Sequence, residues 1–434
     1  MSRSNGLIER SLFHVKILYL DPFLKGWSGH SFNYAQSLSD ASKEGGIPFA
    51  VYGNKGVEPE IQKRLGVIPA FDYVARSDAL KSFLTHSALR WLPIQIPSCC
   101  NFLRRNFLFW REFEGITRTV GKDEATVFLP NWMGDIGIGF ALGLRSFLRQ
   151  EGRQAVAFLR FTPERWRLRI VARLLLLSHR SGKLRFVTDS EELARLYEDV
   201  LGVEVEVFPI PHACPGWRGV APAKAAEGGR EFSFVHPGVL SLGKGFDTLV
   251  EAMALLGPEL DVMPVRWRVQ CYADAVSLSH IAGASEAREK LLALAKVHPL
   301  VEPFPEPLSP EAYAQLIEGA DLLLLTHRKE EYAARTSGGC VEGLALGIPM
   351  VLTDGTWLAG QARRFGAALF YQDGDSQSLA ETLREAVRKL PALKEEVGIK
   401  AALCQEWHNP KRFLQLLLKK EGDASTASQK SRCD

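Results

Sequence analysis

The sequence predicts an α/β protein of two Rossmann-like domains whose parallel sheets face a central cleft. Three observations lead there. Short apolar or β-branched runs alternate with amphipathic helical stretches along the chain, the pattern of βαβ units in a parallel sheet. A breaker-rich segment, residues 211–230, interrupts that alternation, and the pattern then restarts. The chain has 434 residues, a length that suits two large α/β domains as well as three smaller ones.

Residues 15–20, VKILYL, read as a buried strand because they are short, apolar and β-branched. The loop DPFLKGWSGH follows, then a helix over about 31–44. Further strands are expected at 49–52, 125–129, 155–161, 184–188 and 205–210. After the linker, strands are expected at 232–235, 267–272, 321–326 and 349–353, with helices at 246–256, 310–319, 338–346 and 376–390. Gly347 and Pro349 stop the third of these helices. This gives a first domain at 1–211, a second at 212–404 and a helix at 405–420 that crosses back to the first domain. The polar, aromatic-poor segment 421–434 reads as a disordered tail.

Composition removes several classes of function. The longest apolar stretch, 136–144, has nine residues, against about 20 for a membrane-spanning helix. The first residues carry charge and no signal-peptide core. Seven cysteines, two of them adjacent and none in a Cys-x-x-Cys, suit a reduced cytosolic protein.

Charge is uneven. Residues 76–185 hold 19 basic side chains against 8 acidic, with the stretches NFLRRNFLFWREF and RFTPERWRLRIVARLLLLSHR prominent. Such segments lie on an anionic membrane surface, bind nucleic acid, or form a solvated face over a core helix. No recognised nucleic-acid motif accompanies the charge, so nucleic acid is not read as a partner.

Three constellations carry chemistry. Trp27-Ser28-Gly29-His30 opens a helix directly after the first strand, where a glycine admits a ligand and a helix N-terminus favours an anion. HPGVLSLGKGFDTLVEA, 236–252, runs strand, Gly238, loop, Lys244, helix, and puts an ammonium where it can meet phosphate. YAARTSGGCVEGLALGIPMVLTD, 332–354, brings Arg335, Thr336, Ser337 and Gly338 to a helix start, with Glu342 four residues further on. Hydroxyls, amides and a guanidinium there make a diphosphate cradle. A carboxylate such as Glu342 can hold both hydroxyls of a ribose. The bland alternatives are a strand-to-helix turn, a solvated lysine and a glutamate favoured by the helix dipole.

These segments resemble the GT-B glycosyltransferases, and within them the large retaining family 4, over roughly residues 14–415. VHPGVLSLGKGFDTLVEAMALL resembles that family's G-R-x-x-x-x-K-G segment. ARTSGGCVEGLALGIPMVLTD resembles its E-x7-E segment, and FVTDSEELARLYEDVLGVEVEVFPIPH its S-E helix and following strand. The resemblance implies that Lys244 contacts the donor diphosphate and Glu342 the ribose. It implies that backbone amides around 336–338 meet phosphates, and that Gly29 approaches the donor or the acceptor; both Gly29 and Gly238 are donor-binding candidates. Three positions depart from the pattern. Val239 stands where the family has arginine, and Ala334 where it has the first glutamate. The family's N-domain histidine has no counterpart in LPNW or FLRFT, which leaves Asn131 and Arg160 as acceptor-side candidates. Arg335 is in place to restore the missing charge.

The function expected is a retaining, metal-independent glycosyltransferase. It moves a sugar from a nucleoside-diphosphate sugar to a hydroxyl acceptor, with Lys244 and Arg335 stabilising the leaving group. No cofactor is expected beyond the donor, which is a substrate. The basic region suggests a lipid-linked or polyanionic acceptor and an anionic membrane surface, with the protein cytoplasmic and peripheral at the inner face. By family analogy the setting is bacterial surface-polysaccharide or glycolipid assembly. The alternative is a non-catalytic GT-B module that binds a nucleotide sugar or a partner enzyme.

Overall fold

The computed structural model describes residues 15–27, 30–72, 95–120, 124–131, 136–163, 165–211, 231–273 and 283–419. Its contacts divide the chain into two units, residues 1–211 with 410–434, and residues 212–409.

The strands of the first unit are β1 (Lys16–Leu20), β2 (Phe49–Asn54), β3 (Ile68–Phe71), β4 (Ala125–Leu129), β5 (Arg153–Phe158), β6 (Leu184–Thr188) and β7 (Glu206–Val207). They pair in parallel in the order β3-β2-β1-β4-β5-β6-β7. Ile17, Leu18, Tyr19 and Leu20 are all fully buried. Helices cover both faces of a parallel sheet, so consecutive residues of a central strand lose water together. The helices are α1 (His30–Glu44), α2 (Pro59–Leu65), α3 (Gln95–Thr119), α4 (Gly137–Phe147), α5 (Arg165–Arg180) and α6 (Glu191–Leu201). The strand order turns round between β1 and β4. Right-handed crossovers therefore put α1 and α2 on one face and α4, α5 and α6 on the other. On the second face α4 packs between α3 and α5. Cβ atoms at Gly139 and Gly143 would collide with Asn106 and Phe113 of α3, so these two glycines set that close approach.

The second unit repeats the plan with β8 (Phe232–His236), β9 (Val265–Gln270), β10 (Val301–Phe304), β11 (Leu322–Leu325), β12 (Met350–Thr353) and β13 (Ala368–Tyr371). These pair in parallel as β10-β9-β8-β11-β12-β13, the doubly wound order with its switch point between β8 and β11. Its helices are α7 (Phe246–Leu256), α8 (Glu259–Val262), α9 (Ala284–Val297), α10 (Pro310–Glu318), α11 (Lys329–Tyr332), α12 (Gly338–Ala345), α13 (Trp357–Phe365) and α14 (Ser376–Trp407). A last helix, α15 (Pro410–Leu418), packs on α1 of the first unit. There Phe413 lies 5.2–6.3 Å from the rings of Tyr34, Phe128, Phe158 and Phe208.

Several expectations differ from what is observed. The helix expected at 376–390 continues to Trp407 through Pro391. Proline removes one backbone donor, but Leu393, Val397, Ala401 and Cys404 continue the buried stripe at helical spacing. Of the strand expected at 205–210, Glu206 and Val207 alone form the ladder. The strand expected at 155–161 is Arg153–Phe158. The pairs β3 with α2, β10 with α9 and β13 with α13 were not legible: IPAF and VEPF contain a proline, and these strands and ALFY are only partly buried, whereas the equally short LLLL and MVLT are buried throughout. The linker at 212–230 and the tail at 420–434 lie outside the described residues.

Candidate functional site

The site candidates of the second unit sit at the β8/β11 switch point. The chain leaves β8 through Gly238, makes one 3-10 turn over Leu242–Lys244 and enters α7 after Gly245. Gly245 has φ 65°, and a Cβ there would collide with the carbonyl oxygen of Thr326. Thr326 follows β11, and its hydroxyl donates to the carbonyls of Lys244 at 2.8 Å and Gly245 at 3.2 Å. The Arg328 amide donates to the Gly243 carbonyl at 2.8 Å. These bonds hold the Lys244 loop to the residues after β11.

The Lys244 ammonium folds back over Gly238. A Cβ on Gly238, whose φ is 103°, would lie 2.6 Å from Nζ. The Gly238 amide donates to Gln270 Oε1 at 2.6 Å. Burial first, and the charge of Arg335 second, push the Lys244 ammonium down to about 8.

Two buried histidines lie around it. His236 Nδ1 contacts the Leu324 carbonyl at 2.9 Å, and the ring is pushed down to about 4, mainly by burial. His327 stands edge-on to Tyr332, ring centres 4.3 Å apart, and burial holds its ring well below the usual histidine range. Both are therefore neutral near pH 7. Among the described residues no hydrogen-bond partner meets His236 Nε2 or His327 Nδ1.

Arg335 lies over the Tyr332 ring at 5.2 Å and pairs with Glu331 at 3.6 Å, each side chain about half exposed. The Glu331 carboxylate covers Gly243, where a Cβ would collide with it. Arg335 is thus near enough to perturb Lys244 electrostatically, while its direct ionic contact is Glu331. Thr336 and Ser337 are buried, and Ser337 caps α12 without a side-chain hydrogen bond to the first turn. The first-turn amides of Gly338, Gly339 and Cys340 precede the first intrahelical donor. Glu342, one turn in, accepts from the Tyr313 hydroxyl at 3.4 Å. That same hydroxyl would lie 3.4 Å from a Cβ on Gly339.

The structure therefore brings Gly238, Lys244 and Arg335 together and sets Thr336, Ser337, Gly338 and Glu342 on the start of the next helix. Sequence reasoning missed Tyr313, Gln270, Thr326, His236 and His327 as site residues. Tyr313 and Gln270 arrive from other elements. Glu331 carries a local signal, a carboxylate four residues before Arg335.

In the first unit, Asn131 follows β4 and is buried, with Nδ2 3.2 Å from both Asp21 Oδ2 and Ser31 Oγ. Arg160 follows β5, stacks over Tyr34 at 4.2 Å and meets Asp189 at 3.4 Å in a buried pair. Asp21 is raised above the usual carboxylate range by burial. The two acceptor-side candidates thus belong to one polar network at the carboxyl ends of β1, β4, β5 and β6. Gly29 lies outside the described residues. An Asp-x-Asp occurs at 373–375, and its carboxylates cap backbone: Asp373 accepts from the Lys329 amide at 3.2 Å and Asp375 from the Ser378 amide at 2.9 Å. Among the described residues no group of three His, Cys, Asp or Glu is placed to hold a metal ion.

No protein-family model and no curated protein matches the chain. Solved structures do. A glycosyltransferase from Rickettsia africae ESF-5 is similar at TM-score 0.66 and 12% identity, over 93% of this chain and 96% of that one. Anabaena Alr3699/HepE in complex with UDP is similar at TM-score 0.62 and 14% identity, over 93% and 98%. A UDP-forming α,α-trehalose-phosphate synthase from Burkholderia xenovorans is similar at TM-score 0.63 and 15% identity, over 93% and 98%. At these identities the likeness is one of fold. With two parallel-sheet α/β units of seven and six strands, this chain has the GT-B fold.

Proposed function

We propose that this chain is a glycosyltransferase of the family 4 type. It takes a nucleoside-diphosphate sugar and moves the sugar to a hydroxyl acceptor, with retention of configuration and without a metal. The observation that carries the reading is the buried Lys244 ammonium over Gly238, with the charge of Arg335 near enough to act on it and the amide-rich start of α12 following Arg335. A buried ammonium whose affinity for a proton is lowered first by burial and second by the charge of Arg335 is one that a bound anion would stabilise. A departing diphosphate, with charge growing on its oxygens, fits that need. Glu342 would hold the ribose, its orientation supported by Tyr313. The UDP and UDP-glucose complexes of Anabaena HepE support a nucleotide-sugar donor. The acceptor read from the basic first unit is lipid-linked or polyanionic, as in surface-polysaccharide or glycolipid assembly at the inner face of a membrane.

The test is a screen of UDP-, GDP- and ADP-sugars by thermal shift and by donor hydrolysis. A shift with hydrolysis is expected for one nucleotide. A shift without turnover, even with acceptors present, would establish instead a non-catalytic nucleotide-sugar-binding module. Val239, Ala334 and the Glu331–Arg335 pair favour that second reading. No shift with any nucleotide sugar would refute both.

A further inference from the structure

The first unit carries a surface that the donor site does not use. Helices α3, α4 and α5 lie side by side, with α4 in the middle. Their inner sides bury Phe109, Phe113, Phe140, Leu144, Phe147 and Leu175. Their outer sides do not resemble an ordinary solvated face. On α3, Leu103 is 62% exposed and Phe107 51%. Leu142 on α4, and Leu174 and Leu177 on α5, are exposed as well, Leu177 at 67%. Leucine and phenylalanine one turn apart, repeated on neighbouring helices, are a patch and not scattered singles.

Arginines surround this apolar surface. Arg104, Arg111 and Arg118 on α3, Arg145 on α4 and Arg180 on α5 are exposed. The Arg111 guanidinium sits 5.8 Å over the Phe107 ring, and Trp110 meets that ring edge-on at 6.0 Å. Among the described residues of these helices the acids are Glu112 and Glu114, and both are engaged within the unit. Glu112 takes Lys55 at 2.9 Å and the Asp72 amide at 3.0 Å, and Glu114 accepts from Ser146 at 3.3 Å. The basic balance read from the sequence is not all surface charge. Arg105, Arg153, Arg160 and Arg185 are buried, and Arg185 is bonded to Glu206 and to the carbonyl of Leu416. Among the described residues of 76–185, five of the exposed arginines lie on these three helices.

We propose that the outer face of α3, α4 and α5 is a docking surface for the anionic headgroup layer of a membrane. The occupant follows from complementarity. Aromatic and leucine side chains among arginines enter the headgroup–acyl boundary, and anionic lipids supply the negative charge the face lacks. A second copy related by a two-fold axis would set arginine against arginine, with no acid left to pair among the described residues of the three helices. No described helix is long and apolar enough to cross a bilayer, so the contact is lateral. The surface goes beyond the acceptor reading given above and stands independently of the donor site.

Co-sedimentation of the full chain with vesicles of phosphatidylglycerol and phosphatidylcholine, against phosphatidylcholine alone, tests this. At low salt the protein should pellet with the anionic vesicles alone and be released at high salt. Arg104→Gln, Arg111→Gln and Arg145→Gln together should weaken binding at least tenfold, because each surface cation contributes a several-fold factor. Phe107→Gln with Leu177→Gln should weaken it while melting and nucleotide binding stay as in wild type. A charge-matched control on the second unit, Lys296→Gln, Arg388→Gln and Lys389→Gln, should leave binding unchanged. Three results would overturn the proposal: wild type remaining in the supernatant with anionic vesicles at low salt, the control triple losing as much as the face triple, or a dimer that Phe107→Gln with Leu177→Gln converts to monomer.

Discussion

Lys244 gives the sharpest test of the donor site. Its ammonium is pushed down from an ordinary 10.5 to about 8 by burial and by Arg335. At pH 7 about nine tenths of the molecules still carry the charge. A bound diphosphate favours the charged form and draws the group back toward its ordinary value, so binding takes up a proton. The sign follows: affinity is complete below pH 8 and falls, by up to tenfold per unit, as pH rises from 8 toward the value in the complex. A recovery of about two units corresponds to ~2.7 kcal/mol, a loss of roughly fiftyfold between pH 7 and 10 that approaches a hundredfold above pH 10. Lys244→Met removes the titration and keeps the length of the side chain. It should bind about ten- to a hundredfold more weakly at pH 7, the loss of a charged hydrogen bond being ~1.5–3 kcal/mol. Every other titration persists in the variant, so the ratio of the two affinities isolates Lys244. Calorimetric titration with the nucleotide diphosphate from the donor screen, at half-unit steps of pH, measures both. Parallel pH profiles for wild type and Lys244→Met would refute the assignment of Lys244 to the diphosphate.

Three further outcomes are expected. Glu342→Ala should weaken nucleotide-sugar binding about tenfold or more and Tyr313→Phe by less, and unchanged affinity in folded Glu342→Ala would remove the ribose role. Arg335→Ala should lower turnover ~10²-fold or more, as loss of an electrostatic stabiliser does. Arg335→Lys should recover little of that turnover, and Val239→Arg with Arg335→Gly should recover part. Near wild-type turnover in Arg335→Ala would reduce Arg335 to its surface pair with Glu331, a contact of ~0–1 kcal/mol. Gly245→Ala should destabilise the second unit by more than ~1 kcal/mol, because its φ of 65° and the Thr326 carbonyl both oppose a side chain. A chemical-denaturation midpoint unchanged from wild type would show that the loop relaxes freely.

The fold class was legible because its signal is local. A strand with helices on both faces needs a continuous apolar run, and LLLL at Leu322–Leu325 can hardly be read as anything else. Gly238, Gly245 and Gly347 announce turns by themselves, since the backbone there has a positive φ that favours a residue without a Cβ. Val301–Phe304 is as short as Leu322–Leu325 but carries a proline and is mostly half-buried, so no continuous apolar run marks it, and its position in the sheet comes from its neighbour β9.

The site divides in the same way. Residue types and spacing within one segment put Lys244 in a phosphate-like loop and Glu342 one turn into a helix. Charge counting found the basic region but could not tell buried Arg105 and Arg160 from exposed Arg104 and Arg145. Only the tertiary structure decided which side chains from distant segments complete the site. Tyr313 reaches Glu342 across 29 residues, Gln270 reaches Gly238 across 32 and Thr326 reaches Lys244 across 82. Their positions depend on the strand order β9-β8-β11. That order arises from how apolar surfaces of whole elements are buried together, a property of the assembled sheet and of no single segment. The lowered proton affinity of Lys244 has the same origin, because burial and the approach of Arg335 exist only once β8, β11 and α12 are side by side.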